Sequence, residues 1–248
     1  MSKKILLDPG HGGKDSGALG GGWQEKDINL EAALYIGNRL ETLGFTVGYT
    51  RTGDTFPGET NERGIMAKGY DYFLSIHCNA GGGSGAEVYC NTRETYAYTE
   101  IALRDALRPL VGWRKIASRR YDNGVFVDRS VDDATRKFTS AVQATDWYGV
   151  LRGCWSVGVS GDLLEMFFID NATDRAVFDA DRQRVYEAIV KALCTAFGVA
   201  YKAPKAVALP AGPDYRALYE KQTVELSEAL RERDTALTKL AAVRNIVI

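Results

Sequence analysis

Residues 3–8 and 45–50 have the composition of short strands, and Asp27 to Leu43 between them carries Leu30, Leu34, Leu40 and Leu43 near helical spacing until Gly44 stops it. A strand, a helix and a second strand in that order form a β-α-β unit, which makes the two strands parallel neighbours in one sheet. The pattern recurs. A polar helix near 59–68 leads to the strand Tyr72-Phe73-Leu74-Ser75-Ile76-His77, and Gly-rich residues 81–85 turn into the strand Ala86-Glu87-Val88-Tyr89-Cys90. A helix is expected from about Tyr96 to Val111, strands at 147–151 and 162–168, and then one long helix from Asn171, with Asp174 in the acidic position of a capping box. The predicted fold is α/β: a mostly parallel twisted sheet of about six strands, covered by helices on both faces, plus a C-terminal helix. Residues 112–146 are polar and without clear period, and are expected to form a surface insertion.

The length of 248 residues suits one domain of about 200 residues with a small appendage. The division expected is a catalytic domain at 1–201, a Pro/Ala-rich linker at 202–213 and a helix at 214–248. Lys and Arg number 31 against 32 for Asp and Glu, so the net charge of −1 gives no electrostatic reason for nucleic acid or an anionic membrane as partner. Only Ile5, Leu6 and Leu7 precede Asp8, too few for a secretory leader, and no apolar run nears the ~20 residues of a membrane span. The product is therefore expected in the cytoplasm when synthesised, without membrane insertion. Cys78, Cys90, Cys154 and Cys194 show no paired spacing, which suits reduced thiols in a core.

The chain has two histidines, His11 and His77, each at or just beyond the end of an expected strand. Ligands of open α/β sheets gather outside the carboxyl ends of strands, so both imidazoles are directed toward one crevice. A catalytic zinc takes three protein ligands, and with no third histidine the remaining one has to be acidic. Glu25, where the loop from His11 enters the first helix, is placed for this; Asp15 and Asp27 compete, and an acidic residue also suits a helix N-terminus. Cys78 follows His77 in the strand and should point to the other face. The glycines around His11 do not form a phosphate loop, because Asp8 and Asp15 stand where that motif needs Gly and Ser or Thr. Glu165 is a lone carboxylate in the apolar strand Asp162 to Phe168, so it is either functional or paired with an arginine such as Arg152.

In order along the chain, Asp8-Pro9-Gly10-His11-Gly12-Gly13, Glu25, Thr50-Arg51, Ser75-Ile76-His77-Cys78-Asn79-Ala80, Val150-Leu151-Arg152 and Leu164-Glu165 resemble the N-acetylmuramoyl-L-alanine amidase type 3 family, over about residues 3–198. The resemblance implies a zinc hydrolase with one Zn2+ per catalytic domain, held by His11, Glu25 and His77, with Glu165 as the catalytic glutamate and Arg63 as a structural arginine. The implied substrate and partner is peptidoglycan, cut at the amide between N-acetylmuramic acid and L-alanine. A cytoplasmic start on such an enzyme is similar to phage or prophage endolysins, which reach the wall through a holin. The chain departs from the family at Phe167, usually Gly, at Lys68, usually Asn, and in the length of 112–146. These departures bear on specificity rather than on the ligands. Within 112–146, Arg119 and Arg120 are candidate substrate-binding residues for stem-peptide carboxylates, although a solvated charge run is the commoner explanation. Two other readings are a zinc peptidase acting on stem peptides, weakened by the absence of H-E-x-x-H, and a non-catalytic wall-binding module, weakened by four intact site residues.

Along 214–248, Tyr219, Thr223, Leu226, Leu230, Arg233, Leu237, Leu240, Arg244 and Val247 alternate at spacings of four and three, a heptad seam with Arg at two core positions. It fits either an amphipathic helix folded back on the domain or self-association into a homo-oligomer, and the Pro/Ala linker favours the second. Light scattering should give a multiple of the monomer mass for the full chain and the monomer mass for a version ending at Ala203. Equal monomer masses for both would reject self-association.

Overall fold

A computed structural model describes residues 2–204. β1 (Lys4–Pro9) passes through a small hairpin, β2 (Leu19–Gly20) and β3 (Trp23–Gln24), into α1 (Glu25–Thr42) and β4 (Thr46–Tyr49). Next come α2 (Thr60–Ile65), β5 (Tyr72–Asn79), β6 (Ala86–Cys90) and α3 (Tyr98–Val111). Beyond them lie β7 (Trp113–Arg119), β8 (Phe126–Asp128) and a hairpin of β9 (Val131–Asp132) with β10 (Lys137–Phe138). The described chain closes with α4 (Gly149–Ser156), β11 (Ser160–Phe168), α5 (Ala172–Ala180) and α6 (Arg182–Phe197). The expected linker from residue 205 onward and the heptad helix at 214–248 lie outside the described residues.

Seven strands form the main sheet in the order β4-β1-β5-β11-β6-β7-β8, one more than the expected six. β4, β1, β5 and β11 run parallel; β6 opposes β11, β7 runs with β6, and β8 opposes β7. Successive side chains alternate between faces. Ile5, Leu7, Leu74, Ile76, Val88 and Leu164 point to one face and pack with Ile28 and Ile36 of α1, Leu103 of α3 and Ile189 of α6. Leu6, Phe73, Tyr89 and Leu163 point to the other, against Val150, Leu151 and Cys154 of α4. The sheet is thus covered on both faces, as the strand-helix alternation requires. Among the described residues no helix is long and apolar enough to cross a membrane, and all four cysteines are free and buried.

Three expectations need correction. Residues 147–151 are not a strand, because Val150 and Leu151 belong to α4, where helical spacing turns them with Cys154 toward the sheet. This helix crosses α2 backbone to backbone: a Cβ on Gly64 would lie 2.2 Å from the Val150 carbonyl oxygen. Residues 113–119, expected inside the surface insertion, form β7 of the main sheet. Their charges mask the pattern, since the stems of such residues cover apolar surface while the charged ends reach outward: Lys115 Nζ lies 4.6 Å from the centre of the Phe126 ring. The single long helix from Asn171 is two helices, broken where Asp181 leaves helical geometry and accepts a hydrogen bond from the Arg184 N–H. Asn171 caps α5 as expected, but Asp174 accepts from the N–H groups of Gly85 (2.9 Å) and Phe168 (3.0 Å) instead of closing a capping box.

One buried ion pair ties these layers together near the carboxyl end of β1. Asp8 is fully buried and accepts from Arg63 Nε (2.9 Å) and Nη2 (2.5 Å), Thr50 Oγ1 (2.6 Å) and Ser75 Oγ (2.6 Å). Burial works to raise its carboxyl, yet the Arg63 charge and these donors outweigh burial and hold it below its ordinary 3.8. An unfolded Asp8 titrates higher than the folded one, so the stabilisation is complete above about pH 3.8 and is lost as pH falls through the depressed folded value. Asp8→Asn leaves Arg63 buried without a counter-charge and should cost about 3–5 kcal/mol at pH 7. Denaturant titrations from pH 7 to pH 2 should show the difference between wild type and variant shrinking at the acid end; a constant difference would show that the pair is not the cause.

Candidate active site

The site stands at the carboxyl ends of β1 and β5. His11 lies two residues beyond β1 with a left-handed backbone (φ 63°), and the N–H of the intervening Gly10 bonds the Ile76 carbonyl at 2.9 Å, fastening this turn to β5. Glycine is required at two places by proximity: a Cβ on Gly10 would fall 2.2 Å from the His77 ring, and one on Gly17 would fall 2.6 Å from both Glu25 Oε2 and His11 Cδ2. Arg51 holds the loop to the start of α1, donating from Nε to the Pro9 carbonyl (3.0 Å) and from Nη2 to those of Gly10 (3.0 Å) and Lys26 (2.7 Å).

Glu25, the first residue of α1, places its carboxylate between the imidazoles, with Oε1 2.8 Å from His77 Nδ1 and Oε2 3.1 Å from His11 Nε2. It is nearly inaccessible and also accepts from the N–H groups of Ala18 (2.8 Å) and Cys78 (3.1 Å) and from Asn29 Nδ2 (3.1 Å). The two rings meet edge to face with centroids 5.0 Å apart. One donor atom from each of His11, Glu25 and His77 lies within 4.8 Å of the other two, close enough for a single metal ion. Asp15, a competitor for the acidic place, instead stands 2.8 Å from His11 Nδ1, outside this group. Asp27 is also outside it, and Cys78 turns to the opposite sheet face as expected. Burial opposes ionisation of Glu25, but the two imidazoles more than compensate and keep it far below the ordinary carboxylate range. For His77, burial prevails over the pull of Glu25 and lowers its pKa, favouring the neutral ring with a free lone pair.

Glu165 on β11 is in register with His77 on β5 and with Glu87 on β6, so the three side chains share one face in one row. Its Oε2 is buried and has no hydrogen-bond partner. Burial foremost, then the charges of Glu25 and Glu87, pushes its carboxyl well above the ordinary range. Such a group can carry a proton near neutrality. Arg152, the alternative partner, instead donates from Nη1 to the carbonyls of Asp146 and Trp147, both at 2.7 Å. Two neighbours were missed from the sequence. Glu87 is fully buried, accepting from Tyr89 Oη (2.7 Å) and from Asn79 Nδ2. A carboxylate at the second position of an otherwise apolar five-residue strand was the available signal. The other is Asn29, whose spacing of four from Glu25 on α1 puts both on one helix face.

Arg119 lies at the end of β7 opposite Phe126 of β8, its guanidinium 4.6 Å from the Phe126 ring and 4.3 Å from that of Trp147. Arg120 pairs with Asp122 at 2.7 Å.

The chain matches the family model described as N-acetylmuramoyl-L-alanine amidase over residues 5–195. It is 47% identical over 89 residues to the N-acetylmuramoyl-L-alanine amidase CwlM of Bacillus licheniformis, a match covering 35% of each protein. It is 34% identical over 200 residues to the probable cell wall amidase LytH of Staphylococcus aureus, covering 78% of this chain and 58% of that protein. The chain thus spans about a third of the first relative's length and little over half of the second's. Its fold is similar to the catalytic domain of CwlV, an N-acetylmuramoyl-L-alanine amidase from Bacillus (Paenibacillus) polymyxa var. colistinus, with TM-score 0.60 and 27% identity over 80% of this chain and 99% of that domain.

Proposed function

The chain belongs to the N-acetylmuramoyl-L-alanine amidase family, and on that premise we propose that it hydrolyses the amide joining the lactyl group of N-acetylmuramic acid to L-alanine in peptidoglycan, with zinc bound by His11, Glu25 and His77. The observation that carries this reading is a carboxyl with an unpartnered oxygen, Glu165, in register beside one imidazole of a two-histidine, one-glutamate cluster. That donor set fits the metal: two imidazoles and one carboxylate are the ligands of many catalytic zinc sites, and three protein ligands leave a position open. Asp15 on His11 and Asn29 on Glu25 supply the outer hydrogen bonds that fix ligand orientation.

When bound, zinc supplies a Lewis acid that polarises the amide carbonyl and lowers the pKa of water toward about 7. Glu165 takes the proton of the attacking water and returns it to the departing alanine nitrogen, a cycle that needs a carboxyl able to exist in both forms. Burial, and then the nearby charges of Glu25 and Glu87, raise the proton affinity of Glu165 and so favour its taking the proton from water. Arg51 and Asp8 act on neither water nor amide; they hold the His11 loop and β5 in place.

A digest of purified peptidoglycan with and without a chelator, analysed by mass, tests the reaction: metal-dependent fragments should carry a new L-alanine amine, whereas cuts within the stem peptide would indicate a peptidase. His77→Ala should lose both bound metal and activity, and metal retained at the wild-type level would reject the ligand assignment. Glu165→Gln should keep fold and metal while turnover falls by ~10²–10⁴. Near-normal turnover would make Glu165 a structural carboxylate.

A further inference from the structure

The sheet face that carries His77 and Glu165 continues across β6 and β7. Glu165, Glu87 and Lys115 stand in one row, and Tyr89, Ala117 and then Arg119 follow on the same face. Along this path the Tyr89 ring lies 5.0 Å from Tyr148 and 5.5 Å from Phe126, and the Tyr89 hydroxyl bonds Glu87. Arg119 ends the path. Its guanidinium is held against Phe126 and Trp147, both rings being substantially exposed, and its Nε donates to the Gly124 carbonyl at 3.0 Å. Among the described residues it pairs with no carboxylate. Its arginine neighbours are engaged: Arg120 by Asp122, Arg152 by two backbone carbonyls, and Arg129 by the carbonyls of Asn91 and Glu94.

A guanidinium fixed by stacking has lost its rotamer freedom before any ligand arrives, and its planar fork matches a carboxylate with two parallel hydrogen bonds. Arg119 is four residues beyond Lys115 and two strands across from Glu165. At ~3.3 Å per residue and ~4.8 Å per strand this is about 13 Å along the sheet and about 10 Å across it. The two side chains reach inward over part of that distance, and a short extended peptide spans the rest.

We propose that Arg119, held against Phe126 and Trp147, is a specificity-determining residue that receives a carboxylate of a stem peptide reaching it from Glu165 over the exposed rings of Phe126 and Trp147, above the buried Tyr89 and Ala117. The inference rests on the amidase reading and deepens it by naming the peptide side of the substrate as the part recognised by the segment after α3.

The test is calorimetric binding to the full zinc-loaded chain of two uncleavable product peptides, an L-alanyl stem tripeptide with free carboxylates and the same peptide fully amidated. The wild type should bind the free acid at least about tenfold more tightly. Arg119→Ala should abolish this preference while leaving the amidated peptide unchanged, and Arg120→Ala should keep it. Arg119→Lys preserves a charged stem over the rings, guarding against local unfolding, and should retain an intermediate preference because it lacks the fork. No preference in the wild type, a preference surviving in Arg119→Ala, or equal loss for both peptides would overturn the proposal. A chain that discriminates between the peptides but releases no L-alanine amine from peptidoglycan would overturn the amidase reading and leave peptide recognition by Arg119 standing.

Discussion

The buried carboxylate of Asp8 is the constraint on which the rest of the site depends. A buried charge on a strand is tolerable only with its full complement of donors, and these come from three different places: Arg63 of α2, Thr50 beyond β4, and Ser75 of β5. Satisfying Asp8 therefore fixes the register of β5 and the seat of α2 together. The Ser75 hydroxyl is also 3.1 Å from His77 Nε2, and His77 Nδ1 meets Glu25, which meets His11. A structural ion pair and the metal-type cluster are thus one continuous hydrogen-bonded path. Placement of the imidazoles is inherited from the packing beneath them.

Electrostatic crowding then separates the roles of the carboxylates. Burial and the charges of Glu25 and Glu87 disfavour ionisation of Glu165, whereas local donors keep Glu25 charged. Glu25 is surrounded by N–H groups and two imidazoles and stays ionised. Glu165 has an oxygen without any partner and holds its proton more tightly. On the function proposed above, one residue type serves as anchor and as proton carrier because the surroundings differ.

The sequence shows the site more clearly than it shows the sheet's far half. His11 stands two residues beyond the mostly apolar β1, and His77 and Glu165 are polar residues within the largely apolar β5 and β11, so all three are conspicuous in the sequence. β7 did not, because Arg114, Lys115 and Arg119 interrupt its alternation, and only the folded chain shows Lys115 and Arg119 lying over aromatic rings. α4 was mistaken for a strand because Val150-Leu151 is too short a run to reveal its period, and its packing depends on two glycines, Gly64 and Gly153, that meet only after folding. Glu87 gains its meaning from register with Glu165, which depends on strand order and cannot be read along the chain.

The reversal of direction between β11 and β6 has a consequence for how the enzyme can change. β1, β5 and β11 bring their charged ends to one edge of the sheet, whereas β7, running the other way, delivers Arg119 and the turn to β8 toward the opposite edge. Insertions or deletions in that turn alter the surroundings of Arg119 without pulling on the turns that hold His11 and His77. On the function proposed above, selectivity and chemistry fall to separable parts of one domain, so exchanging the turn would leave the His11, Glu25 and His77 cluster intact.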